Sequence, residues 1–139
     1  MIRRILLAYD GSDPAKKALD TALDLAGKYE AELFVLTVVQ PPDFGDDVET
    51  EAIIENSRNH HQRLLAPVKH RIAASAGIHA HFEVAVGHPA QQIIYHADRC
   101  KADLIVIGHR GRSKFVRLLL GSVSKQVVQY ADRQVLVVR

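Results

Sequence analysis

Short apolar runs alternate with longer amphipathic segments along the whole sequence, and this alternation constrains the fold more than any other feature. Strands that alternate with helices in this way form parallel sheets, because each helix carries the chain back across a face of the sheet. The sequence therefore predicts an α/β fold with a doubly wound five-stranded parallel sheet, order 3-2-1-4-5, right-handed crossovers and helices on both faces. The predicted strands are residues 5–9, 33–39, 78–86, 104–107 and 135–138.

The apolar runs also indicate how deeply each strand is buried. Residues 5–9 and 104–107 are apolar at consecutive positions, which is typical of strands that helices cover on both faces. Residues 78–86 instead alternate apolar side chains with His79, His81 and other polar or small residues. This alternation predicts a strand at an edge of the sheet, with one face wetter than the other.

Capping and breaking residues set the predicted helix boundaries. Ser12 or Asp13 is the expected N-cap of the first helix, because Pro14 fits the first helical turn, where a missing amide costs nothing. The second helix is predicted over 50–76, with a kink or a break at Pro67. The remaining helices are predicted over 89–101 and 123–130.

Composition limits the classes of protein to which the chain can belong. Its 139 residues fit one domain, 1–139, and 18 basic against 16 acidic residues give a formal net charge of +2. That charge is too small for non-specific nucleic-acid binding. Cys100 is the sole thiol, so no intrachain disulfide can form, and no apolar run approaches the length of a membrane span. We expect a cytoplasmic protein with neither a nucleic-acid nor a membrane partner.

Two loops are predicted to face one crevice at the point where the strand order reverses. In an open parallel sheet, ligands bind outside the carboxyl ends of the strands at that point, here between the first and fourth strands. The loop after Tyr9 begins with Asp10, and the loop after Ile107 is rich in glycine and cations. It contains Gly108, Arg110, Gly111, Arg112 and Lys114, and leads to Gly121-Ser122-Val123-Ser124 at the start of a helix.

This second loop has the composition of an anion-binding segment. Glycines let the backbone approach phosphate oxygens, a helix start offers unpaired amides, and the cations neutralise charge. Another interpretation is that Gly108 and Gly111 only form a tight turn while Ser122 caps the helix. Both interpretations are open at the level of the sequence.

Several enzyme and metal-site patterns do not occur. The sequence contains neither Gly-x4-Gly-Lys-Ser/Thr nor a Gly-x-Gly-x-x-Gly after the first strand, so a P-loop enzyme and a dinucleotide-binding dehydrogenase are not indicated. The eight histidines have no ligand spacing that supplies three or four converging donors, and most are expected to be solvated. His109 is the exception, since in the glycine loop it either lines the ligand site or faces solvent.

The spacing Gly108-x2-Gly111-x9-Gly121-Ser122, with Asp10 after the first strand and an apolar terminal strand, resembles the universal stress protein family. The resemblance covers essentially the whole chain and implies the Rossmann-like fold of adenine nucleotide alpha-hydrolases. The full glycine spacing is similar to that of the branch of the family that binds ATP. Gln134 departs from the proline that often precedes the last strand, and Lys114-Phe115 replace smaller residues.

The resemblance implies a nucleotide site and a role for each matching position. Asp10 would contact the nucleotide or its Mg²⁺ or Mn²⁺ ion, which accepts carboxylate and phosphate oxygens together; the alternative role for Asp10 is a cap on the following helix. The main chain around Val38 would recognise adenine. The positions implied to bind ATP are Ala8, Asp10, Val38, Gly108 at the ribose, Gly111 and Arg112 on the phosphate side, and Gly121, Ser122, Val123 and Ser124 at the phosphates.

The resemblance also implies a homodimer and a function. The last strand, Val135, Leu136, Val137 and Val138, would pair with its copy across a two-fold axis. The implied function is a cytoplasmic ATP-binding stress-response module with little or no fast catalysis. The alternatives are a nucleotide-free dimeric scaffold and an enzyme that hydrolyses ATP slowly.

Overall fold

Five parallel strands and four helices alternate along the chain in the computed structural model, which describes residues 1–41, 48–75, 77–109 and 122–139. The sheet has the order β3-β2-β1-β4-β5, as the sequence predicts. The strands are β1 (Arg4–Ala8), β2 (Glu32–Val39), β3 (Ala80–Val86), β4 (Leu104–Gly108) and β5 (Gln134–Val138). The helices are α1 (Asp13–Tyr29), α2 (Val48–Ala73), α3 (Pro89–Cys100) and α4 (Ser122–Tyr130).

The strand register aligns side chains in rows across the sheet. Leu6 of β1 lies opposite Phe34 of β2, which in turn lies opposite His81 of β3. Ala8, the last residue of β1, lies between Leu36 of β2 and Ile107 of β4. The carboxyl ends of β1 and β4 therefore meet at the same edge of the sheet, where the strand order reverses.

Helices cover both faces of the sheet, and each face has its own apolar core. Helices α1 and α2 pack on one face, where the alanines of α1 are almost fully buried and allow close approach to the strands. Helices α3 and α4 pack on the other face, against Leu6, Leu36 and Ile105 among others. The central strands β1 and β4 contact both cores, which explains why their sequences are apolar at consecutive positions.

Helix α2 runs through Pro67 without interruption, so of the kink or break expected there, the break is wrong. A proline inside a helix removes one main-chain hydrogen bond and crowds the preceding turn. Leu65, Val68 and Ile72 flank it and are 0%, 2% and 5% exposed. Their burial against the sheet offsets the lost bond, and the helix ends at Ala73, before the predicted end at residue 76.

The two outer strands differ in composition. In β3, His81 and Glu83 are exposed while their neighbours are partly buried, which confirms the prediction of an edge strand with one wetter face. In β5, every residue except Gln134 is apolar, yet none is fully buried, and Leu136 is 36% exposed.

Candidate functional site

Asp10 lies two residues after Ala8, the end of β1, and begins the turn into α1. Its Oδ1 accepts a hydrogen bond from the Ser12 amide at 2.9 Å, and Gly11 between them has φ of 81°, a conformation that favours glycine. Ser12 caps α1, because its Oγ accepts from the amide of Ala15 at 3.3 Å. Asp10 thus shapes the turn before the cap, and that bond uses one of about four lone-pair positions of the carboxylate.

Val38 presents its main chain to the space beyond the end of β1. Residues of a strand point their main-chain groups alternately to the two neighbouring strands. The amide of Tyr9 donates to the carbonyl of Leu36 at 2.8 Å, so the even residues of β2 point toward β1. Val38 is two residues further on, past Ala8, where β1 ends. Its N–H and C=O therefore form a donor–acceptor edge past the end of β1, while its side chain packs against the α3 and α4 core.

Gly108 ends β4 and lies against the first turn of α1. A Cβ at this position would meet the main-chain carbon of Pro14 at 2.8 Å and the amide nitrogen of Ala15 at 3.0 Å. Main-chain atoms cannot move aside as a flexible side chain can, so only glycine fits. The sequence suggests either anion binding or a tight turn for Gly108, and this packing requirement is separate from both. The absence of a side chain at Gly108 allows the N-terminus of α1 to pack against the end of β4.

The start of α4 is tied to the residue that follows β4. Ser124 is 2% exposed, and its Oγ donates to the carbonyl of His109 at 2.9 Å. The amide of His109 donates in turn to the carbonyl of Val138 in β5 at 2.7 Å. His109 is 6% exposed, so the expectation that it faces solvent is wrong.

The expected site residues divide into those that the structure describes and those outside it. Ser122 is exposed at the first position of α4, and Val123 is partly buried behind it. Ala8, Asp10, Val38 and Gly108 occupy carboxyl ends of neighbouring strands, together with this helix start. Gly111, Arg112 and Gly121, with Arg110 and Lys114, lie outside the described residues.

The phenol of Tyr9 adjoins Asp10 and stays protonated near neutral pH. Its side chain is 7% exposed, and burial raises its pKa, as does the nearby carboxylate of Asp10; the guanidinium of Arg71 lowers the pKa. Tyr9 is therefore a hydrogen-bonding group rather than a base at this end of the sheet.

The described residues bring together no group of three or more His, Cys, Asp or Glu side chains able to hold a metal ion. A divalent ion at Asp10 would then need most of its oxygen ligands from a bound molecule or water, which suits Mg²⁺ with a nucleotide. Among the helices of the described segments, none combines the length and hydropathy of a membrane span.

Known proteins are similar to this chain in sequence and in fold. The sequence profile of the Universal stress protein family matches residues 1–139. A universal stress protein of Thermus aquaticus is 40% identical over 144 residues, which covers 100% of both chains. The solved structure of the universal stress protein UspA from Lactobacillus plantarum superposes with a TM-score of 0.91 at 25% identity, covering 99% of this chain and 98% of that one.

A second solved structure is of a protein with a bound nucleotide. It is a universal stress protein in complex with cAMP, which is similar to this chain with a TM-score of 0.77 and 26% identity, over 99% of this chain and 97% of that one. The match of the family profile over the whole sequence, the fold and the relatives lead to one conclusion. The chain belongs to the universal stress protein family.

Proposed function

We propose that this protein binds ATP, with Mg²⁺ or Mn²⁺, at the carboxyl ends of β1 and β4 and acts as a nucleotide-dependent stress-response module in the cytoplasm. The observation that carries the proposal is that the main-chain edge of Val38 continues past the end of β1, which Asp10 follows, at the reversal of strand order. A relative of the same fold in complex with cAMP supports an adenine nucleotide as the ligand.

Each part of the nucleotide has a matching group in the proposal. The N–H and C=O of Val38 match the donor and acceptor edge of adenine. Asp10 reaches the phosphates through the divalent ion, since a carboxylate alone would repel them. Gly111, Arg112 and the segment 121–124 hold the phosphates, because the start of α4 presents amides and the positive end of the helix dipole.

Fast hydrolysis is not part of the proposal. The activation of water needs a general base with a suitable pKa within hydrogen-bonding reach of it. Tyr9 is protonated at neutral pH because of its raised pKa, and the Asp10 carboxylate is engaged with the ion and with the Ser12 amide. Any turnover of ATP is therefore expected to be slow. In this proposal the protein acts through its ATP-bound form rather than through hydrolysis.

The whole chain acts as one domain in this proposal, and two copies join through β5. An apolar outer strand with partly exposed Val135 and Leu136 leaves main-chain groups unpaired unless another strand covers them. Leu136→Lys is expected to give monomers in light scattering, because it places a charge in the apolar interface. Glu83→Lys, in the other outer strand β3, is the matched control and is expected to leave the dimer intact. Dimers that survive Leu136→Lys would contradict pairing through β5.

The experiment on nucleotide binding begins with the protein as purified. Heat-denatured protein is expected to release an adenine nucleotide, identified by chromatography, and stripped protein is expected to bind a fluorescent ATP analogue in the presence of Mg²⁺. Protein that is empty after purification and that also fails to bind the analogue would favour the nucleotide-free dimeric scaffold. Release of ADP with steady production of phosphate would favour the slow ATP-hydrolysing enzyme.

A further inference from the structure

A cavity lies between α3 and the strands β1, β2 and β3, away from the strand ends. It has a volume of about 360 Å³ and lies on the α3 face of the sheet. Its base is lined by Phe34, which is partly buried, and by Leu6 and Leu36, which are 2% and 1% exposed. A volume of a few hundred Å³ with an apolar floor and a few polar groups is typical of small-molecule sites.

One wall of the cavity is a fixed aromatic pair. The rings of Phe34 and His81 stack with their centroids 4.7 Å apart and their planes at 16°. His81 Nε2 lies 3.0 Å from Glu32 Oε2, and this contact holds the imidazole over the phenyl ring. The wall is therefore preorganised and presents a flat surface to an apolar group.

Opposite charges flank the mouth of the cavity. Glu83 of β3 and Arg99 of α3 line the cavity together with His96, and both charges affect the pKa of His96. Burial lowers the pKa of His96, while the carboxylate of Glu83 raises it and the guanidinium of Arg99 lowers it. Within the described residues, neither Glu83 nor Arg99 forms an ion pair with another side chain. The cavity thus offers one anion, one cation and an apolar floor.

We propose that this cavity binds a free α-amino acid with an apolar side chain, of the size of leucine or phenylalanine. An α-amino acid carries its ammonium, its carboxylate and its side chain on one carbon, so it meets all three features at once. Arg99 pairs with the carboxylate, for which guanidinium offers two parallel donors, and Glu83 pairs with the ammonium. The side chain lies against the stacked rings of Phe34 and His81. The site is independent of the nucleotide site.

The test compares three compounds that share the phenylalanine side chain and differ at the ammonium or at the carboxylate. Isotope-labelled protein is titrated with L-phenylalanine, N-acetyl-L-phenylalanine, which has no ammonium, and L-phenylalaninamide, which has no carboxylate. We expect saturable shifts of the β2, β3 and α3 amides with phenylalanine, with a Kd on the order of 1 mM for so small a ligand. The other two compounds are expected to bind at least about tenfold more weakly, which corresponds to the loss of one charged contact.

Substitutions at the mouth complete the test. Arg99→Gln and Glu83→Gln each weaken phenylalanine binding about tenfold, while Lys125→Gln, the matched loss of an exposed cation on α4, does not. These positions are exposed, so the variants are expected to fold. The proposal is overturned if phenylalanine gives no saturable shifts at roughly ten times the expected Kd, if all three compounds bind equally, or if both mouth variants bind as the native chain does.

Discussion

Two aspartates mark opposite ends of the central strands, and their surroundings differ. Asp103 precedes β4 at the amino end, where its Oδ2 accepts hydrogen bonds from the amides of Arg3 and Arg4 at 2.8 and 2.9 Å. Its own amide donates to the carbonyl of Arg4 at 2.8 Å. Asp10 follows β1 at the carboxyl end, and its carboxylate accepts from Ser12 in the adjacent turn. Asp103 joins two strands, whereas Asp10 bonds within its own loop.

Under the proposed function, the amino end of the sheet serves stability and the carboxyl end serves nucleotide binding. At the amino end, Arg133 adds a bond to the carbonyl of Ala102 and an ion pair with Asp98 at 3.2 Å, so main-chain and charged groups there are used within the protein. At the carboxyl end, the main-chain edge of Val38 points past β1. Four substitutions or conditions separate the two roles, and they are taken in order of expected effect.

Gly108→Ala is expected to have the largest effect, because it disturbs the carboxyl end as a whole. The added Cβ would lie 2.8 Å from the Pro14 main chain, so α1 must shift, at a cost of about 2 kcal/mol in unfolding free energy. Chemical denaturation measures this loss. The matched control is Gly27→Ala in α1, where nothing lies within 4 Å of the new Cβ; it is expected to stabilise the helix by about 0.5–1 kcal/mol. Equal stabilities of the two variants would contradict the close approach of α1 to β4.

Asp10→Ala is expected to weaken ATP binding in Mg²⁺ by at least about tenfold, or about 1.4 kcal/mol. The reason is the loss of the carboxylate that holds the ion. The unfolding free energy is expected to change by about 0.5–1 kcal/mol, the contribution of the single bond to Ser12. Calorimetric titration with and without Mg²⁺ measures the affinity. An affinity for ATP with Mg²⁺ equal to that of the native chain would remove Asp10 from the site.

Asp103→Ala is expected to show the opposite pattern. It removes the acceptor of two main-chain amides at a partly exposed position, at a cost of about 1 kcal/mol of stability. ATP affinity is expected to stay within twofold of the native value, a difference of roughly 0.4 kcal/mol. Asp103→Asn retains an acceptor oxygen and is expected to lose less. If Asp103→Ala weakened ATP binding as much as Asp10→Ala, the division of roles between the two ends would be wrong.

The smallest effect is a pH dependence of stability that originates at Asp103. The hydrogen bond from the Arg3 amide lowers the pKa of Asp103 below its ordinary value of 3.8, with further lowering by the Arg4 amide and by nearby positive charge. A carboxylate with a lowered pKa in the folded state stabilises the fold above its unfolded pKa, and this stabilisation is lost as the pH falls through the folded pKa. The difference in stability between the native chain and Asp103→Ala is therefore expected to shrink below pH 3.8. A constant difference from neutral to acidic pH would contradict this origin.

The sequence predicts the sheet and the location of the candidate site because both depend on local patterns. Apolar periodicity identifies every strand and helix, and the order of elements with the crossover rule gives the topology. Asp10 and Val38 are found at strand ends because the ends of apolar runs mark those positions to within a residue or two. Ser12 is similarly identified as one of two possible caps for α1.

Contacts between distant parts of the chain are what the sequence does not reveal. The hydrogen bonds from the amides of Arg3 and Arg4 to the Asp103 carboxylate join residues about a hundred positions apart. The contact at Gly108 depends on how closely α1 approaches β4. The bond from Ser124 to the carbonyl of His109 joins residues 15 positions apart. The charged mouth formed by Glu83 and Arg99 likewise depends on the position of α3 over β3. Strand register and helix placement determine all of these contacts, and the apolar periodicity of the sequence predicts neither of them.

The central claim is that ATP binds at the carboxyl ends of the strands through the main chain of Val38. The most direct measurement is a titration of the isotope-labelled, nucleotide-stripped protein with ATP and Mg²⁺, followed through the backbone amides. The account predicts large shifts at Val38, Asp10, Gly108 and Ser122 to Ser124, with Arg3, Arg4 and Asp103 unchanged. Absence of saturable shifts, or shifts centred on Arg3, Arg4 and Asp103, would contradict it.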